Sequence, residues 1–238
     1  MLKSEKFTNE SLAGILNSMK VTSDDKILSV ANDAAFAMLA SGAEVTAVNN
    51  NQKHIDFMIK RHNYLKEGDI GSFLHISPGS HMTSIGRALL EARNEYLKDN
   101  FLDMKENIDN MELLYDDIFE VADPSRGFNK AYLSNTLTYS YPVKRGSEKY
   151  IKNLQKIIYA IPEKGIIYMA DGVDMRGDDS CRVDFQKILP ANIALEEDLS
   201  WISQIEHRDL PTIWYPSVFR KDSSIANKIY KTFKLLTN

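Results

Sequence analysis

The stretch ILSVANDAAFAMLASGAEVTAVNNNQ, residues 27–52, decides the fold. Lys26–Val30 is a short apolar run of the kind that forms a strand buried on both faces of a parallel sheet. Asn32 or Asp33 offers an N-cap for a helix over 34–40, and Gly42 stops that helix where the backbone needs a positive φ. Glu44–Val48 reads as a second strand. Strand, tight turn, helix and strand make the opening half of a nucleotide-binding α/β unit. Two features depart from the usual pattern: the turn Val30-Ala31-Asn32-Asp33-Ala34 has no glycine, and Asn49 stands at the second strand tip, where such units carry an acid.

Those departures restrict the ligand. A dinucleotide site uses glycines so that the backbone can approach a pyrophosphate, and here Ala31, Ala34 and Ala35 carry Cβ atoms at the approach. The chain also has no GxxxxGK[ST] loop to cradle a triphosphate. NAD, FAD and ATP therefore fit poorly. A nucleoside that lacks phosphate and carries positive charge suits a turn built from amide and carboxylate side chains.

Outward from this unit the pattern continues to alternate. A helix runs over 4–19, and a second over 52–65 turns Ile55, Met58, Ile59 and Leu65 inward. Strands are expected at 111–115, 130–134, 165–170 and 212–219, and helices at 85–97, 148–160, 195–202 and 225–236. Pro216 inside the last strand argues for an edge position or a bulge. Alternating strands and helices imply an α/β fold with a doubly wound, mostly parallel, Rossmann-like sheet. The expected organisation is one ligand-binding catalytic domain over 1–238, with a helical lid insertion at about 66–110. Ligands of such sheets lie outside the carboxyl ends of the strands. Small polar or acidic residues gather at five of those ends: Ala31-Asn32-Asp33, Asn49-Asn50, Asp116-Asp117, Ser134-Asn135 and Asp171.

Composition narrows the partners. Net charge is −4 with 26% charged residues, and the only clustered basic stretch is Lys144-Arg145, which argues against nucleic acid as a partner. The single cysteine, Cys181, rules out an internal disulfide framework and suits a reducing, cytoplasmic setting. No apolar run has membrane-spanning length, MLKSEKFTNE has no secretory apolar core, and GSHM at 79–82 is internal and reads as native. His75 and His81 lack further ligands at suitable spacing, so no metal is expected. There is no GxSxG, and Cys181 has no evident base, so hydrolase readings are weak.

ILSVANDAAFAMLASGAEVTAVNNNQKHIDFMIKRHNYL resembles the S-adenosylmethionine (SAM) half of class I SAM-dependent methyltransferase-fold enzymes, and more closely the aminocarboxypropyl transferases of betaine-lipid synthesis. Ser29, the turn Ala31-Asn32-Asp33 and Asn49-Asn50-Asn51-Gln52 stand at the matching places. LLYDDIFEVADPSRGFNKAYLSNTL matches the third and fourth strands. The resemblance covers about residues 20–172. It implies that Asp117 binds the adenine amino group with Ile118 contacting the ring, that Asn49 faces the ribose, and that Ser134 and Asn135 line the methionine arm. It implies SAM as a substrate and a small-molecule acceptor.

SAM offers three electrophilic carbons on one sulfonium, and placement selects among them. Candidates for orienting the reaction are Asn135, Tyr139 and Tyr141 after the fourth strand, and Tyr168 and Asp171 on the fifth. Tyrosines there could hold the amine or carboxylate of SAM or stack on its sulfonium, or simply pack. Three functions stay open: aminocarboxypropyl transfer or cyclisation to azetidine-2-carboxylate with release of methylthioadenosine, methyl transfer to a small molecule, and SAM binding without catalysis.

Overall fold

The computed structural model describes residues 10–75, 84–136, 147–172, 189–190, 192–208, 214–222 and 224. Seven strands form one sheet: β1 (Lys26–Val30), β2 (Glu44–Asn49), β3 (Met111–Tyr115), β4 (Lys130–Tyr132), β5 (Ile166–Gly172), β6 (Ile193–Leu195) and β7 (Trp214–Lys221). Their order is β3-β2-β1-β4-β5-β7-β6. β1 to β5 pair in parallel, and β7 runs antiparallel to both β5 and β6. The chain progresses one way from β1 through β2 to β3, then returns to the other side of β1. Right-handed crossovers then put the connecting helices of the two halves on opposite faces, and the sheet is doubly wound as expected. The switch point lies between β1 and β4.

The helices are α1 (Leu12–Met19), α2 (Asp33–Leu39), α3 (Gln52–Glu67), α4 (Ile70–Leu74), α5 (Ser84–Asp99), α6 (Phe101–Glu106), α7 (Ile118–Val121), α8 (Glu148–Ala160) and α9 (Glu197–Arg208). α1 packs on α2 and α9, and α7 packs on α8. Every residue of α2 is buried. Its run of alanines lets a helix with no solvent face sit close against the sheet, and Gly42 at φ 78° ends the turn that follows it. Helices α4 to α6 fill the interval between α3 and β3. They join the core through Phe73, Leu97, Phe101 and Met104, so the described part of this insertion is packed structure.

Some expectations need correction. Leu195, expected to begin a helix, instead ends the strand over 193–195, and α9 starts only at Glu197. Pro216 lies in β7, which has a strand on each side. Among the described residues, however, β6 pairs only with Phe219–Lys221, so the Pro216 flank is locally an edge. On α3, Ile59 is 41% exposed while Arg61 is 1% exposed. The helix buries Arg61 and leaves out Ile59, which was expected to face inward. The expected helix at 225–236 lies outside the described residues.

Arg61 is buried for a reason. Its Nη1 donates to Asp33 Oδ1, and Arg93 Nη2 from α5 donates to the same oxygen at 2.8 Å. Arg61 Nε and Arg93 Nη1 each reach a backbone carbonyl at the end of α4, Phe73 O and Leu74 O, both at 3.0 Å. Phe36 and Phe73 flank the Arg61 guanidinium at 4.7 and 4.6 Å. Asp33 therefore ties the first residue of α2 to α3, α4 and α5. Burial alone would raise its carboxyl pKa, but the guanidiniums of Arg61 and Arg93 outweigh that and hold it at about 2, below the usual 3.8.

Asp33→Ala would leave two like charges buried without their counter-ion, and should cost about 3–5 kcal/mol of stability by urea unfolding. Because the folded-state pKa is depressed, the contribution of Asp33 is complete above the unfolded pKa and lost as pH falls from about 4 towards 2. Equal unfolding midpoints for the parent and Asp33→Ala would contradict this clamp.

Candidate functional site

The carboxyl ends of β1, β2, β3 and β4 are level. Val30 pairs with Val48, Asn49 with Tyr115, and Ser29 with Tyr132. The turn after β1 is held at each residue. Ala31 N–H donates to Val48 O at 2.9 Å. Ala31 O accepts from His54 Nε2 on α3. Asn32 Oδ1 accepts from Ala34 N at 2.9 Å and caps α2, and Asp33 is clamped as described above. The His54 pKa is lowered by burial, partly opposed by the Ala31 carbonyl and the Asp33 charge. At neutral pH the ring is neutral, and a carbonyl can only accept, so the proton sits on Nε2.

Asn49 is half-buried, and its Oδ1 accepts from Asn51 N at 2.9 Å. Asn51 Oδ1 in turn caps α3 at Lys53 N. Asn50 is exposed, and Gln52 Nε2 lies along α3 on Asp56 Oδ1 at 2.8 Å. At the next strand end Asp116 Oδ1 accepts from Asp117 N, and Asp117 Oδ1 accepts from Phe119 N at 3.0 Å. Asp117 is exposed on the rim and caps α7, while the Ile118 side chain is buried beneath it. So Asn32, Asn49 and Asp117 lie on three adjacent strand ends of one edge.

After β4, Ser134 adopts a left-handed backbone at φ 49°. Its carbonyl accepts from Ala170 N at 2.8 Å, and its hydroxyl donates to Glu10 Oε2 at 2.7 Å. Tyr132 Oη donates to the same Glu10 oxygen at 2.7 Å. Asn135 follows directly, with Oδ1 at 3.5 Å from Ser134 Oγ.

Three expected site residues lie off the rim. Asp33 is fully buried against Arg61 and Arg93. Ser29 is fully buried between β2 and β4, with its hydroxyl on Val30 O at 2.9 Å. Tyr168 sits within β5, fully buried, with Oη at 3.1 Å from Ser203 Oγ on α9. Burial raises its pKa well above the usual value, with smaller effects from Glu10 and Tyr132. All three side chains are enclosed by protein. Asp171 is in register with Tyr215 near the end of β5. Its side chain, Tyr139 and Tyr141 lie outside the described residues. His54, Glu10, Arg61 and Arg93 were not singled out from the sequence. Each acts across at least 12 positions of chain in these bonds, which no local pattern reveals. Among the described residues no group of His, Cys, Asp and Glu could hold a metal, and no helix is long and apolar enough to cross a membrane.

Comparison with solved structures identifies the fold. The chain is similar to NSun6 from Pyrococcus horikoshii, with TM-score 0.50 at 11% identity, over 89% of this chain and 51% of that one. It is also similar to an rRNA methylase from Streptococcus thermophilus, with TM-score 0.45 at 13% identity over 89% and 95% of the two chains. A third is 1,6-didemethyltoxoflavin-N1-methyltransferase from Burkholderia thailandensis, with TM-score 0.44 at 12% identity over 92% and 80%. At such identities the likeness is one of fold alone. No family model matches the sequence, and no curated protein matches it.

The His54 bond makes a specific expectation. His54→Ala should speed amide hydrogen exchange across Asn32, Asp33 and Ala34 while leaving β4 and β5 unchanged. Unaltered exchange in the turn would show that His54 does not hold it.

Proposed function

We propose that this chain binds SAM across the rim of β1, β2, β3 and β4 and catalyses attack on the γ-carbon of its aminocarboxypropyl arm, releasing methylthioadenosine. The observation that carries the ligand class is the closed N-terminus of α2. A helix start binds phosphate through unpaired amides and positive dipole. Here the Asn32 side chain already takes the Ala34 amide. α3 and α7 are likewise capped by Asn51 and Asp117. A rim of capping amides and carboxylates is a poor phosphate cradle and a suitable surface for a cationic, phosphate-free nucleoside.

SAM supplies a sulfonium that activates its three attached carbons. The chain's part is to bind and orient. Asn49 would serve the ribose hydroxyls, since an amide can both accept and donate, at the cost of the stronger bond a carboxylate makes. Asp117 would take the adenine amino group while keeping its cap. Ser134 and Asn135, next to the switch point, would orient the methionine arm. In the reaction a nucleophile's lone pair forms the new bond to the γ-carbon, and the carbon–sulfur pair returns to sulfur. No strong acid is required, because the leaving group becomes a neutral thioether. The choice of this arm rests on the resemblance to the betaine-lipid enzymes. The shared methyltransferase fold supports methyl transfer as the second reading.

Incubation with SAM and mass spectrometry of the nucleoside product separates these readings. Methylthioadenosine is expected, together with azetidine-2-carboxylate if SAM's own amine is the nucleophile. S-adenosylhomocysteine would replace this reading with methyl transfer, and bound but unconverted SAM would indicate a binding protein. Asn135→Ala should lower turnover by about a hundredfold with a smaller change in SAM affinity, because loss of orientation costs rate. Unchanged turnover would remove Asn135 from the site. Asn49→Asp should keep or tighten SAM binding by restoring a charged acceptor, and weaker binding would argue against its ribose role.

A further inference from the structure

A cavity of about 450 Å³ opens between α3 and α4, lined by Phe57, Lys60, Arg61 and Tyr64 on one side and Gly71, Ser72 and His75 on the other. Its volume falls in the range that takes small organic ligands. It is displaced along α3 from the rim: its wall begins at Phe57, six residues or about 9 Å from the Asn51 cap at the rise of a helix, although Arg61 reaches back to Asp33.

The electrostatics of its wall are unbalanced. Two guanidiniums, Arg61 and Arg93, share the single carboxylate of Asp33, which leaves one positive charge in excess within a buried cluster. Burial lowers the Arg61 pKa to about 10, with Asp33 opposing, so the group stays charged at neutral pH. Arg61 uses Nε on Phe73 O and Nη1 on Asp33. Its Nη2, buried, has no acceptor among the described residues. A buried donor without a partner is costly, and a guanidinium edge is matched best by an oxyanion. Lys60 adds a second, exposed cation to the same wall, and Phe57 and Tyr64 add aromatic surface.

We propose that the α3–α4 cavity is a binding site for a small aromatic oxyanion, a carboxylate or a phosphate ester. Arg61 and Lys60 hold the anion, and Phe57 and Tyr64 hold the ring. The site does not depend on which ligand the rim takes.

Calorimetry on the full chain with phenyl phosphate and benzoate, against inorganic phosphate and phenol, tests it. At least one aromatic oxyanion should bind tenfold or more tightly than either fragment, roughly 1.4 kcal/mol, and the better of the two identifies the anion. Lys60→Glu and Tyr64→Ala should each weaken that binding at least tenfold, whereas Lys53→Glu, on the same helix outside the cavity, should not. Arg61→Lys keeps a charge for Asp33 but loses Nη2, and should abolish binding. If that variant does not fold, Lys60→Glu and Tyr64→Ala decide. Saturating SAM should leave the affinity unchanged. Aromatic oxyanions that bind no better than their fragments, that bind Lys60→Glu as they bind the parent, or that SAM displaces would overturn the proposal.

Discussion

The buried contact of Asp33 with Arg61 and Arg93 is the constraint on which the rest of the site depends. A carboxylate at the start of α2 would ordinarily be a surface cap. Drawn inward, it becomes the point where α2, α3, α4 and α5 meet. Buried ion pairs are weak sources of net stability, but breaking one is costly. The contact therefore acts chiefly as a registry device. It sets where α3 lies against the first turn, and through α3 it places His54 on the Ala31 carbonyl. A turn without glycine is more restricted in φ and ψ than the usual nucleotide-binding turn, and here it is also bonded at every residue.

That rigidity bears on the ligand. Glycine-rich turns gain their phosphate affinity from bare amides. This turn commits two amides and its carboxylate to the protein: Ala31 N on Val48, Ala34 N on Asn32, and the Asp33 side chain on two arginines. What remains at the edge is a row of half-buried or exposed polar side chains, Asn32, Asn49 and Asp117, on three consecutive strand ends. Such a row discriminates by hydroxyl and amine placement and is unfavourable to negative charge.

Local chemistry was legible in the sequence, and long-range pairing was not. Lys26–Val30, Met111–Tyr115 and Glu148–Ala160 match their expected bounds because each is fixed by its own apolar pattern and flanking breakers. Asp33 was read as a rim acid because its partners lie 28 and 60 positions away. Arg61 was not read as core because an arginine is rarely buried without such a partner. For Tyr168 the sequence leaves orienting and packing roles open, because a strand buried on both faces gives no alternation from which to judge orientation. Leu195 reads as the start of a helix because a three-residue strand carries too little pattern to separate its last residue from the periodic segment behind it.

The central claim is that this rim selects a phosphate-free cationic nucleoside. Calorimetric titration of one preparation with SAM, ATP and NAD tests it most directly. The account requires SAM to bind at least tenfold more tightly than either phosphate-bearing nucleotide, a difference of roughly 1.4 kcal/mol or more. ATP or NAD binding as tightly as SAM, and competing with it, would contradict the account.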